Sequence, residues 1–82
     1  MSEIDTRAAE ARRLMADNGL AAVLKEISDA AVAVFLNASS TDEAVMSARE
    51  GVRAVETIRN ALQARITEQT IAVKRGQHRA ND

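Results

Sequence analysis

The sequence predicts an all-α protein: an antiparallel helical hairpin with an additional N-terminal helix, packed in coiled-coil fashion. Three observations predict it. Proline is absent and glycine occurs only at Gly19, Gly51 and Gly76, while alanine, the best helix former, is abundant. Apolar residues recur at helical spacing in three stretches. Two groups of breakers, around Asn18-Gly19 and Ser39-Ser40, separate those stretches. The 82 residues form one domain at most.

The first helix is expected over about residues 3–16. Ile4, Ala8, Ala11 and Met15 make one stripe, Ser2 is a candidate N-cap, and Glu3 and Asp5 suit the positive end of the helix dipole. Asn18-Gly19 then breaks the pattern, since both residues tolerate positive φ. The break is either a kink or a reversal. A kink is favoured, because it lets Ile4, Leu14 and Met15 cover Leu62, Ile66, Ile71 and Val73 later in the chain.

The second helix is expected over about residues 20–37. Leu20, Leu24, Ile27, Ala31, Val34 and Ala38 follow a heptad pattern, and Val23, Ala30 and Phe35 widen the apolar face. Residues 30–36 carry no charge and are expected to be the most buried segment. A loop follows, with Ser40 as N-cap and Glu43 at the third helical position of a capping box.

The third helix is expected over about residues 41–74, ahead of a frayed tail at 75–82. Val45, Ala48, Val52, Val55, Ile58, Leu62 and Ile66 recur with a mean step of about 3.5 residues, the coiled-coil period. Gly51 costs about 1 kcal/mol in a helix interior, which points to a close helix contact there. Gly76 suits a helix stop after Lys74 and Arg75.

At 1.5 Å per residue the second helix spans about 27 Å and the third about 50 Å. Folded at the serine pair, residue i of the second helix faces a residue near 79 − i. Leu24, Ile27, Ala31, Val34, Phe35, Val52, Val55, Ile58, Leu62 and Ile66 are then the predicted core and interface. The same register sets Glu26 and Asp29 near Arg49 and Arg53, and Lys25 near Glu56, as hairpin salt bridges worth tenths of a kcal/mol.

Residues 1–43 hold eight acidic and four basic side chains, residues 44–82 four and seven, so the two halves attract each other. The net charge of −1 gives no global field for DNA or an anionic membrane. The single aromatic, Phe35, offers no stacking platform for bases. No apolar run spans a bilayer, and the first residues lack the regions of a signal peptide, so a cytoplasmic protein without a membrane is expected.

No phosphate loop, zinc motif or nucleophile elbow occurs, and neither cofactor nor metal is expected. The adjacent carboxylates of Asp42 and Glu43 do not face each other on a helix and read as capping groups. His78 has no orienting partner and reads as a solvated tail residue. Arg49, Arg53, Arg59 and Arg65 are expected to pair with Glu26, Asp29, Glu56 and Glu68, and the tail of Lys74, Arg75 and Arg79 carries few charges, so a nucleic-acid site is not the first expectation. No catalytic residue is expected.

A core this small supplies only a few kcal/mol and needs a staple. With no cysteine, association with another chain is the staple left, so a protein partner and a homo-oligomer are expected. The order Arg13-Leu14-Met15-Ala16-Asp17-Asn18, an apolar helix ending Leu36-Asn37-Ala38, a Ser/Thr/Asp cap, Ala48-Arg49-Glu50-Gly51 and Ile58-Arg59-Asn60-Ala61-Leu62 resembles short all-helical proteins encoded among the head and DNA-packaging genes of tailed phages and prophages. The resemblance covers roughly residues 12–65. It implies a virion-assembly context and no particular activity, since most members have no assigned function. The expected function is therefore a non-enzymatic structural or adaptor protein, in the cytoplasm or associated with virions. The alternatives are a small regulator that binds a host protein through its acidic helical face and, behind that, an accessory nucleic-acid binder.

Overall fold

The computed structural model describes the backbone of residues 2–81 and the side chains of residues 2–77. It contains three helices, α1 (Glu3–Met15), α2 (Asn18–Leu36) and α3 (Asp42–Asn81), and no strand among the described residues. α1 and α2 lie end to end along one side of α3 and run antiparallel to it. Each packs on α3, while α1 and α2 scarcely touch. The protein is therefore all-α and two layers thick, with extents of 63 × 24 × 16 Å. Its radius of gyration is 18.1 Å, where a compact chain of this length has about 12 Å.

Local chemistry starts each helix. The Ser2 hydroxyl accepts a hydrogen bond from the Asp5 amide at 3.2 Å and donates one to the Asp5 carboxylate at 3.0 Å. Asp17 caps α2 by accepting from the Leu20 amide at 2.9 Å. The break between α1 and α2 is thus a kink at Ala16 and Asp17, where Asp17 alone turns extended (φ −74°, ψ 117°). The Asn18-Gly19 turn does not form. Both residues lie in the first turn of α2, and no described residue has positive φ. The Asp17 cap supplies the break one residue earlier than the positive-φ turn would.

The α2–α3 connection holds another correction. Ser40 does not cap α3. Its hydroxyl donates instead to the Val34 carbonyl at 2.7 Å, closing the end of α2. Thr41 takes the cap, accepting from the Ala44 amide at 3.1 Å, so Ala44 and not Glu43 occupies the third helical position. The side chain of Asn37 accepts from the Ser39 amide at 2.9 Å and tightens the turn between the two caps. Thr41→Ala is expected to lower stability by about 1 kcal/mol. Glu43→Gln is expected to change it little. Urea unfolding of the two variants reads the difference directly.

The seam between α2 and α3 keeps the expected register. A Cβ added at Gly51 would lie 3.4 Å from Ile27 Cγ2, and Ala31 and Ala48 line the same groove. Gly51 therefore sits at ordinary van der Waals distance from its neighbour and is not demanded by a clash. Gly51→Ala is expected to stabilise the hairpin by about 0.5–1 kcal/mol through helix propensity. A lower midpoint in urea would contradict this.

The core is a single stripe: Ala8, Ala11, Leu24, Ala31, Ala48, Val55 and Leu62. Residues 30–36 are not the most buried segment. Val32, Phe35 and Leu36 are 49%, 45% and 81% exposed. An uncharged helix surface is covered only where a neighbour exists, and α2 has one neighbour, α3. Ile27 and Ile58 also keep 37% and 40% exposure, while Val34, Val52 and Ile66 are half-buried.

α3 does not stop near Lys74. It runs through Gly76 to Asn81, because one glycine costs about 1 kcal/mol and the flanking Ala72, Lys74, Arg75 and Gln77 are good or neutral helix formers. Ile71 and Val73 stay 45% and 49% exposed, so α1 does not cover them. α1 begins at Glu3, and its first turn meets α3 at Gln69, which bonds to Asp5, rather than at Ile71 and Val73. The side chains of His78 and Arg79 lie outside the described residues.

Candidate functional site

Polar contacts between α1 and α3 fix the position of α1. Gln69 donates to Asp5 at 2.9 Å, and Arg12 donates to the carbonyl oxygen of the same Gln69 side chain. Arg7 lies 4.0 Å from Glu68. The Gln69 hydrogen bond, followed by that from Ser2, lowers the Asp5 pKa below the ordinary carboxylate value. A carboxyl whose pKa is depressed by folding stabilises the fold above its unfolded pKa, near 4, and loses that contribution as pH falls through the folded value. Acidification below about pH 4 is therefore expected to loosen α1 first. Amide exchange along residues 3–15 as a function of pH measures it, with Asp5→Asn as the variant that removes the dependence.

The predicted hairpin salt bridges are not formed. Lys25 and Asp29 pair with each other along α2 at 2.6 Å, and this holds the Lys25 ammonium above its ordinary pKa. Local (i, i+4) partners need no long-range register, so Asp29 is taken before α3 can compete. Glu26, Arg49 and Arg53 make no ion pair within 4.0 Å among the described residues. Arg49 and Arg53 instead border a shallow depression with Phe35, Val52 and Glu56. No three acidic or histidine side chains gather at metal-binding distance among the described residues, and no described helix is long and apolar enough to cross a membrane.

The two flanks of the hairpin differ in chemistry. On one, Phe35 and Val52 share the surface with Arg49, Arg53 and Glu56. The other is uncharged. From α2 it receives Val23, Ile27, Ala30 and Val34, at steps of four, three and four. From α3 it receives Ser47, Gly51, Ala54 and Ile58, at the same steps. An open groove of about 440 Å³ runs between the two rows, floored by Ala31 and Ala48. Val23, Ile27 and Ile58 are 51%, 37% and 40% exposed.

Of the residues singled out in the sequence, Leu24, Ala31, Val55 and Leu62 meet in the core, and Ile27, Val34 and Ile58 lie on the uncharged flank. Phe35 lies on the charged flank. The Asp5–Gln69–Arg12 network was not anticipated. Its sequence signal was available, since the hairpin register extended along α1 brings residue 5 within a turn or two of residue 69. No family of proteins, curated protein or solved structure matches this chain.

Proposed function

We propose that this protein is a non-enzymatic adaptor or structural component that works by helix–helix association. One observation carries the reading: an uncharged flank of two heptad-spaced rows, left open by a fold only two layers thick. Such a surface costs solubility unless something covers it. A setting in phage or prophage morphogenesis belongs to the same proposal and rests on the resemblance across residues 12–65.

The acidic-face regulator has less support. Asp5, Asp17 and Asp29 are engaged within the chain, by Gln69, the Leu20 amide and Lys25. These contacts leave fewer free carboxylates to present to a host protein.

Light scattering of the purified chain tests association. A mass above 8.8 kDa at micromolar concentration is the expected result. A strict monomer that also fails to bind any neighbouring gene product would sink the proposal. Gene order tests the setting: capsid and packaging genes beside the coding sequence are expected, and their absence would remove the phage context.

A further inference from the structure

We infer that the uncharged flank is the interface for a second copy of this chain, forming a two-fold four-helix arrangement through the α2–α3 hairpins. This rests on the association reading above and names its surface and its partner.

Shape is the first argument. A two-fold interface uses the same patch on both copies, so that patch must carry both a ridge and the hollow that receives it. This flank does. Val23, Ile27 and Val34 form a ridge along α2 that dips at Ala30, and the small residues Ser47, Gly51 and Ala54 leave α3 low beside it until Ile58. The hollow between them measures about 440 Å³. Both rows step by four, three and four, the spacing at which one helix meets another in a coiled coil. A second copy presents the same spacing.

Chemistry is the second. None of the eight residues in the two rows is charged, so these rows bury no unpaired charge when two copies meet. The opposite flank would bury Arg49, Arg53 and Glu56 of each copy, charges that must be desolvated to pair.

Area is the third. The chain exposes 6361 Å², whereas a compact monomer of 8.8 kDa exposes about 4,800 Å². A standard interface removes about 800 Å² from each partner. That excess is spread over the whole elongated chain and is enough for one such interface, while shape and charge assign the interface to this flank.

Sedimentation equilibrium of the full chain tests the inference. The wild type is expected at twice 8.8 kDa. Ala54→Glu and Val23→Glu each place a carboxylate at an exposed position that the monomer tolerates. Each is expected to weaken the dimer by about 100-fold, because the two-fold counts every charge twice and desolvates it. Circular dichroism at matched concentration is expected to show retained helix. Val32→Glu, at a similarly exposed site on the charged side of α2, is expected to leave the dimer intact. A dimer that survives Ala54→Glu and Val23→Glu but is lost in Val32→Glu overturns this assignment and leaves helix–helix association standing. A wild-type chain that stays monomeric at every concentration up to about 1 mM overturns the dimer and removes self-association from the proposed function with it.

Discussion

Leu62→Ala is expected to lower stability by roughly 2–3 kcal/mol and the thermal midpoint by roughly 10–20 °C. Leu62 is 8% exposed and lies where α1 ends and α2 begins, beside Leu14, Met15, Leu20 and Leu24. It is the α3 side chain that holds both short helices at their junction. Leucine-to-alanine changes in cores cost about 2–5 kcal/mol, depending on how well the site collapses. Here an open depression of about 370 Å³ already adjoins the side chain, so water reaches the vacated space and the cost falls toward the lower end. Even so, a chain of this size is stable by only about 4–12 kcal/mol, and a single-stripe core belongs at the bottom of that range. Ile71→Ala serves as the contrast, since Ile71 is 45% exposed and is expected to change stability by less than about 0.5 kcal/mol. Thermal melts followed by helix signal separate the two. Equal losses in both variants would mean that the overhanging end of α3 is covered in solution.

The helices and their register were legible in the sequence because they follow from periodicity, a property of apolar residues one or two turns apart. Leu24, Ala31, Val55 and Leu62 are buried where the stripe placed them. Burial at the flanks was not legible. Phe35, Ile27 and Ile58 have the same apolar character as Leu24, and only the number of neighbouring helices decides which of them is covered. Capping was legible to within one residue: Ser40 and Thr41 both offer a hydroxyl, and the difference between them is which carbonyl or amide each can reach. The ion pairs failed for a different reason. Lys25 lies four residues from Asp29 on the same helix, and a local partner at 2.6 Å forecloses the cross-hairpin one. The uncharged flank was visible only in pieces, since its two rows are separated by the loop and become one surface when α2 folds onto α3.

Ala11→Leu is expected to detach α1 from α3 while leaving the α2–α3 hairpin folded. Ala8 and Ala11 are both fully buried, on the face by which α1 approaches α3. The bonds from Gln69 to Asp5 and from Arg12 to Gln69 depend on that approach. A leucine at position 11 adds three carbon atoms where no space exists, at a cost of about 1–3 kcal/mol. The strain is relieved most cheaply by moving α1, because α1 is anchored to α3 and scarcely to α2. Once undocked, 13 residues are too few to hold a helix in water, so undocking and melting of α1 coincide. Hydrogen exchange is the suitable measurement. Amides of residues 3–15 are expected to lose protection, whereas those of α2 and of α3 between about residues 44 and 60 keep theirs. Ala9→Leu, on the exposed side of the same helix, is expected to leave α1 protected. Protection lost evenly across all three helices in Ala11→Leu would show that the two layers unfold as one unit, with α1 an integral part of the core.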